Sequence, residues 1–215
     1  MSRWSILLAV LAISAAMARP AASAPAPAPR PLVLAFGDSL TAGYGLEPGL
    51  GFAPQLQATL RRHGIAATVT DGGVSGDTSQ AGRARLGWTL DGMARKPDLV
   101  IVELGANDML RGLDPALTRA NLDAVLAELE RRQIPVLLAG MRAAPNLDPA
   151  FIKAFERLYP ELAARHGATF YPFFLDGVAG QQGMVQGDGM HPTFAGIKTI
   201  VTRIVPVVKR ALSGG

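Results

Sequence analysis

Short apolar runs alternate with amphipathic stretches along the chain from residue 32 onward. Each run is three to six residues long, as expected for a strand buried within a sheet. The stretches between the runs carry apolar residues three and four positions apart, as one face of a helix does. The predicted strands occupy residues 32–36, 66–70, 99–104, 135–139 and 169–171, and the predicted helices residues 52–63, 78–90, 115–132, 149–166 and 193–212.

This alternation of strands and helices predicts an α/β fold. The run at 99–104 is almost continuously apolar, which favours a parallel strand covered on both faces. The helix at 115–132 places Leu117, Leu122, Val125, Leu126 and Leu129 on one face. We therefore expect a three-layer α/β/α sandwich with a mostly parallel five-stranded sheet in flavodoxin-like order. The 215-residue length suits a single such domain, predicted at residues 32–212.

The first residues have the pattern of a secretory leader. Arg3 precedes an apolar run at residues 6–17, and small residues give two possible A-x-A cleavage sites, ending at Ala18 and Ala24. The run is shorter than the ~20 residues that a spanning helix needs, so cleavage is favoured over a retained anchor. We predict a signal peptide at 1–24, a Pro-rich linker at 25–31, no stable membrane insertion after cleavage, and a periplasmic or secreted enzyme.

Charge and composition exclude several function classes. The chain has 21 Lys and Arg against 17 Asp and Glu, but Arg3, Arg19 and Arg30 lie in the acid-free first thirty residues. The remaining chain has 18 basic and 17 acidic residues and no basic run interleaved with aromatics, so no nucleic-acid partner is expected. The absence of Cys excludes a Cys nucleophile and a thiolate zinc site.

A candidate nucleophile follows the first predicted strand, in Gly37-Asp38-Ser39-Leu40. Ligands of open α/β sheets bind beyond the carboxyl ends of the strands, which is where Ser39 falls. A serine hydroxyl becomes a good nucleophile only beside a base. Ser39 could instead cap the following helix. The G-x-S-x-G elbow of ordinary α/β-hydrolases is absent, which disfavours that fold.

His191 is the best candidate for the base. His63 and His166 each precede a glycine at the end of a helical pattern, where a His commonly interacts with the helix dipole. His191 lies between a glycine-rich turn and the last helix, and Pro192 suits the first position of that helix. Asp188, three residues earlier, could reach Nδ1 in a tight turn and leave Nε2 free to take a proton. The alternative is that Asp188 caps the last helix.

Two further loops offer hydrogen-bond donors for an oxyanion. Gly76 precedes a predicted helix and can contribute its backbone N–H, and Asn107 follows the third strand with a side-chain amide. With the N–H of Ser39, three donors would converge. Gly76 could equally be a turn residue, and Asn107 a helix cap.

Four blocks in order resemble those of the GDSL/SGNH hydrolase superfamily. The blocks are Gly37-Asp38-Ser39-Leu40, Gly76, Gly105-Ala106-Asn107-Asp108 and Asp188-Gly189-Met190-His191-Pro192. The surrounding residues at 75–86 and 102–112 resemble the branch of periplasmic acyl-CoA thioesterase I, lysophospholipase L1 and arylesterase.

The resemblance implies a role for each of five residues. It implies Ser39 as nucleophile and backbone oxyanion donor, Gly76 as second backbone donor and Asn107 as side-chain donor. It implies His191 as base and Asp188 as the acid that orients it, with no metal and no cofactor.

The predicted function is that of a serine hydrolase acting on small-molecule acyl esters and thioesters through an acyl-enzyme on Ser39. One alternative is a carbohydrate O-deacetylase of the same superfamily. A second is a non-catalytic, flavodoxin-like binding domain that retains the site without using it.

Overall fold

The computed structural model describes Met1 and residues 30–214. Its centre is a five-stranded parallel sheet in the order β2-β1-β3-β4-β5, which is the flavodoxin-like order predicted from the sequence. The strands are β1 (Leu32–Gly37), β2 (Thr68–Gly73), β3 (Leu99–Glu103), β4 (Val136–Ala139) and β5 (Thr169–Tyr171).

Helices cover both faces of the sheet, as predicted. They are α1 (Ser39–Ala42), α2 (Phe52–Arg62), α3 (Ser79–Asp91), α4 (Ala106–Leu110), α5 (Pro115–Arg131), α6 (Pro149–Arg165) and α7 (Phe194–Leu212). Helix α2 packs against α7, and α5 packs against both α3 and α6, so the two groups form the outer layers. The three-layer α/β/α prediction is confirmed.

The core lies on both sides of the central strands. Every residue of β3 is fully buried, and so are residues 33–36 of β1. This burial explains why both strands are almost continuously apolar. Glu103, the last residue of β3, differs from the apolar residues before it because its fully buried side chain is ionisable.

The predicted bounds of β2 were wrong. The strand begins at Thr68 and continues to Gly73, through residues that the sequence analysis placed outside any strand. It pairs only with β1, so it lacks the long apolar run of a central strand. Asp71 and Gly72 lie opposite Ala35 and Phe36, and Gly73 lies opposite Gly37. A Cβ at Gly73 would overlap the backbone of Ala42, so glycine lets α1 close over the strand.

The other differences between the predicted and the observed elements involve only a few residues each. Helices α1 and α4 were not predicted because four or five residues are too few to show a helical period. Leu117 of α5 was expected on the buried face but is 57% exposed. Helix α7 begins at Phe194 with Thr193 as its N-cap, so Pro192 precedes the cap instead of occupying the first helical position.

The predicted signal peptide at 1–24, apart from Met1, and residues 25–29 of the predicted linker lie outside the described residues. Among the described helices, none is long and apolar enough to cross a membrane.

Candidate active site

Ser39 lies at the carboxyl end of β1, where the chain turns into α1. Asp38 is the N-cap of this helix, and its Oδ1 accepts a hydrogen bond of 3.0 Å from the N–H of Leu40. Ser39 is the first helical residue and is 9% exposed. The first N–H groups of a helix have no partner within the helix, so the Ser39 N–H is available to a ligand.

His191 and Asp188 meet Ser39 from the turn that precedes α7. His191 Nε2 lies 2.9 Å from Ser39 Oγ, and His191 Nδ1 lies 2.6 Å from Asp188 Oδ2. Asp188 Oδ1 accepts from the backbone N–H of Met190 and of His191, which closes the turn. Thr193, and not Asp188, caps α7, because its hydroxyl accepts from Gly196. The structure therefore brings the three predicted residues into one hydrogen-bonded chain.

Two residues that no sequence pattern marked hold this turn against the segment that follows α1. The N–H of Gln186 donates to the carbonyl of His191 at 2.7 Å. Its side-chain Nε2 donates to the carbonyl of Tyr44 at 2.7 Å and to that of Pro192 at 3.0 Å. The rings of Tyr44 and His191 are 4.5 Å apart between centroids. Gln186 thus links the His191 turn to the Ser39 segment across 142 residues of sequence.

The charge of Asp188 is well supported by its surroundings. Hydrogen bonds from the Met190 backbone, then from the side chain and backbone of His191, lower the pKa of Asp188 to about 2. The carboxylate is therefore ionised at neutral pH and faces the ring nitrogen of His191. A carboxylate in this position favours the tautomer that carries its proton on Nδ1.

Gly76 lies two residues before the N-cap of α3, in a left-handed conformation with φ of 86°. Its carbonyl accepts from Arg111 at 2.9 Å, and its N–H has no hydrogen-bond acceptor among the described residues. The next residue, Asp77, forms an ion pair of 2.6 Å with Arg85. The bonds from Arg111 and Arg85 thus hold the loop in place, and the Gly76 N–H remains available to a ligand.

Asn107 is the second residue of α4, which follows β3. Its Nδ2 lies 3.1 Å from Asp38 Oδ2 and 3.0 Å from the carbonyl oxygen of Asp77. The amide therefore connects the loops that follow β1, β2 and β3. Gly105, not Asn107, is the N-cap of α4. Ser39, Gly76, Asn107 and His191 all line one cavity.

Known proteins share this fold and identify the family of the chain. A model of the GDSL-like Lipase/Acylhydrolase family matches residues 35–198. The chain belongs to this family. Esterase TesA of Pseudomonas aeruginosa is 40% identical over 180 residues, which is 84% of this chain and 89% of that protein. Thioesterase 1/protease 1/lysophospholipase L1 of Escherichia coli strain K12 is 34% identical over 160 residues, 74% of each chain.

A crystal structure of AlinE4, an SGNH-hydrolase family esterase, matches with a TM-score of 0.73 and 48% identity, covering 86% of this chain and 97% of that one. The family and the enzyme class predicted from the sequence, an ester and thioester hydrolase, are confirmed.

The cavity beside Ser39 has a volume of about 510 Å³ and a mainly apolar lining. Its apolar side chains include Leu40, Met109, Leu110, Met141, Phe173, Leu175, Val185 and Met190. Arg142 is the only Lys, Arg, Asp or Glu among its described lining residues, and its guanidinium lies over the Phe173 ring. Within residues 30–214, no group of three or more His, Asp and Glu side chains could hold a metal ion.

Two buried acids lie beneath the site of this GDSL-family protein. Asp38 and Glu103 are both fully buried. Burial raises the pKa of Asp38 to about 6, although hydrogen bonds from Leu40 and Asn107 oppose the shift. Glu103 was not predicted as a site residue. A charged residue closing an otherwise apolar strand was the signal that could have revealed it.

Proposed function

We propose that the protein hydrolyses acyl esters and thioesters through an acyl-enzyme formed on Ser39. The observation that carries the proposal is the hydrogen-bonded chain from Ser39 Oγ through His191 to Asp188. A serine, a neutral imidazole and an ionised carboxylate in this order are the components of nucleophilic acyl transfer.

In the first half of the reaction, Ser39 Oγ attacks the acyl carbonyl carbon while His191 Nε2 takes the hydroxyl proton. The resulting imidazolium faces the ionised Asp188, which stabilises its charge. The tetrahedral intermediate collapses, the bond to the leaving alcohol or thiol breaks, and His191 returns the proton to that group. Water then attacks the acyl-Ser39 ester by the same route and releases the carboxylic acid.

Three donors would hold the oxyanion of each tetrahedral intermediate. They are the backbone N–H groups of Ser39 and Gly76 and the side-chain amide of Asn107. In the free enzyme the Asn107 amide donates to Asp38 and to the Asp77 carbonyl. We propose that the bond to Asp77 is exchanged for one to the oxyanion, while the bond to Asp38 keeps the amide oriented. Each such donor contributes about 3 kcal/mol in comparable sites.

The apolar cavity favours an acyl chain as the occupant beside Ser39. A lining dominated by Leu, Met, Phe and Val side chains stabilises methylene groups and offers few partners to sugar hydroxyls. Relatives named as an esterase and as a thioesterase and lysophospholipase are consistent with such substrates. The O-deacetylase alternative has no comparable support in the cavity.

Replacement of Ser39 tests the proposal. Ser39→Ala should lower turnover of an activated acyl ester by ~10³-fold or more, while thermal unfolding remains close to that of the wild type. Ser213→Ala, at the C-cap of α7, is the matched control and should retain full turnover. Labelling with a fluorophosphonate should modify the wild type at Ser39. A folded wild-type protein that neither turns over esters nor takes the label would favour the non-catalytic binding domain.

We further propose that a signal peptide within residues 1–24 is removed on export and that the mature enzyme is periplasmic or secreted. The support is the leader pattern of Arg3, the apolar run and the two A-x-A sites. Mass spectrometry of the exported protein should find an N-terminus after Ala18 or Ala24. An intact Met1 on the exported protein would contradict the proposal.

A further inference from the structure

Glu103 occupies a position where an ionised side chain is costly. It ends β3, is fully buried, and packs against Gly37, whose missing Cβ makes room for the carboxyl group. Oε2 accepts a hydrogen bond of 2.8 Å from Thr41 Oγ1. Oε1 has no hydrogen-bond partner among the described residues. A buried carboxylate oxygen without a donor is destabilising, so this oxygen requires an explanation.

The explanation lies in the neighbouring acid. The Glu103 carboxyl lies against Gly37, the residue that precedes Asp38, and a hydrogen bond between the Asp38 and Glu103 side chains contributes to the pKa shifts of both acids. Two carboxylates this close and this deeply buried cannot both be ionised, so the pair retains a proton. Burial first, and then the charge of Asp38, raise the pKa of Glu103 well above its ordinary value. Asp38 has two N–H donors, Leu40 and Asn107, and is the better member to carry the charge.

The other charged groups around the pair do not supply the missing donor. The Arg85 guanidinium, from α3, donates to the Gly37 carbonyl and to Asp77. Tyr159, from α6, donates to the Leu104 carbonyl. Asp108 of α4 is itself a carboxyl group, and His191 contacts Ser39 and Asp188. The backbone N–H of Asp38 also donates to the Glu103 carboxyl and opposes the rise of its pKa, but burial and the charge of Asp38 outweigh this bond. A proton on Glu103 therefore lets its carboxyl group donate to Asp38.

We propose that Glu103 is a positioning residue for Asn107. As a neutral acid, Glu103 donates a hydrogen bond to Asp38 and accepts one from Thr41. The charged Asp38 then holds Nδ2 of Asn107 in place for the oxyanion. This inference rests on the proposed function, because it assigns Asn107 to the oxyanion site. It adds a connection from the buried end of β3 to the reacting centre through Asp38 and Asn107.

Two substitutions separate this role from a merely structural one. Gln is an isostere of the protonated acid, since its amide can donate to Asp38 and accept from Thr41. Glu103→Gln should therefore keep kcat within about threefold of the wild type. Leu has a similar size but neither hydrogen-bonding group, so Glu103→Leu should lower kcat by about 10- to 100-fold with little change in KM. This loss is smaller than the ~10²- to 10³-fold caused by removing an oxyanion donor outright, because E103L misplaces the Asn107 amide without removing it.

Inhibition by an alkylboronic acid, whose adduct on Ser39 resembles the tetrahedral intermediate, provides a second readout. Its affinity should fall in E103L by about the same factor as kcat. Leu129→Ala, on the buried face of α5, is the control for loss of stability. It destabilises the fold without touching the site and should leave kcat per folded molecule unchanged.

A double-mutant cycle tests the route through Asn107. If Glu103 acts through that amide, E103L should change kcat less than about twofold in an N107A background. If E103L does not fold, Asp38→Asn is used instead. The new amide would face the Asn107 amide, donor against donor. Asp38→Asn should therefore lower kcat when Asn107 is present and have little effect in the N107A background.

Three results would overturn the inference. These are E103Q as impaired as E103L, wild-type kcat in E103L, or an undiminished loss in the N107A background. The proposed function is judged separately by Ser39→Ala, so an inactive wild type would be distinguishable from a failure of this inference.

Discussion

Asp188 uses its two carboxylate oxygens for different purposes. Oδ1 closes the turn by accepting from Met190 and His191, at 2.9 and 3.0 Å. Oδ2 faces the imidazole at 2.6 Å. One short side chain thus both builds the loop and sets the tautomer of His191. Variants at this position can separate the two roles, because Asn retains an oxygen for the turn but replaces the second oxygen with a donor.

Asp188→Asn should lower kcat by ~10³- to 10⁴-fold while the protein stays folded. The Asn amide would donate to Nδ1 of His191, so the ring proton would move to Nε2, which could no longer accept a proton from Ser39. Steady-state kinetics on an activated ester, with circular dichroism for the fold, measure the effect. Asp176→Asn, at a surface ion pair with Arg203, is the matched control and should retain activity. A D188N enzyme within tenfold of the wild type would exclude Asp188 as the orienting acid.

The sequence located the five candidate residues because each lies in a short local pattern beside a strand end or a helix start. Gln186, Tyr44 and Glu103 were missed for a physical reason. Gln186 acts by donating to a backbone carbonyl 142 residues away, and Tyr44 supplies that carbonyl and a ring contact. Neither role requires a particular spacing in the chain. Glu103 matters because it is buried, which only the assembled sheet determines.

At the scale of elements, the central strands β1 and β3 were easier to predict than the edge strand β2. Strands β1 and β3 are covered on both faces, so burial alone makes them apolar. Strand β2 is half covered, and its last residues are Asp71, Gly72 and Gly73. Gly73 fits beneath α1, a contact that no local pattern specifies. The fold class could therefore be predicted from the sequence. The strand conformation of the segment that leads to Gly76 could not, because it depends on contacts with β1 and α1.

Helices α5 and α6 are joined at one end by an ion-pair cluster around His166. The ring nitrogens of His166 lie 3.0 Å from Glu130 Oε2 and 2.8 Å from Asp123 Oδ1. Both nitrogens face carboxylates, so both bonds form only when the imidazole is doubly protonated. Burial lowers the pKa of His166, but the hydrogen bonds and charges of Asp123 and Glu130 more than offset this, and the net shift is upward.

The raised pKa of His166 predicts a pH-dependent contribution to stability. A group whose pKa is higher in the folded state stabilises fully below its unfolded pKa, about 6.5, and loses that effect as pH rises through the folded pKa. The free energy of unfolding of the wild type should therefore exceed that of His166→Gln most at pH 5.5, and the difference should shrink towards pH 8.5. Urea denaturation at several pH values measures it.

A variant that keeps His166 but lacks both carboxylates, D123N/E130Q, provides the control. We compare the free energy of unfolding of D123N/E130Q with that of the triple variant D123N/E130Q/H166Q. The difference between them should no longer decline as pH rises. A wild-type advantage over H166Q that grows with pH would contradict the proposed charged state.

At the scale of the whole molecule, the parallel sheet gathers the site at one edge. The chain leaves β1 at Ser39, β2 near Gly76 and β3 at Asn107, and the turn before α7 adds His191. All of these strands point the same way, so their carboxyl ends are neighbours although the residues are far apart in sequence. The same edge opens into the apolar cavity, so the reacting groups sit beside a surface suited to methylene groups.

That arrangement predicts how activity depends on acyl length. Burial of one methylene group contributes about 0.8 kcal/mol, equivalent to about fourfold in kcat/KM when the transition state realises it fully. For a series of p-nitrophenyl esters, kcat/KM should rise from acetate to medium-length acyl chains by up to about fourfold per methylene. It should level off once the chain fills the cavity of about 510 Å³. Rates of the S39A variant supply the background. A series that peaks at acetate and falls with each added methylene would mean that the cavity does not hold the acyl chain, and the O-deacetylase would then be favoured.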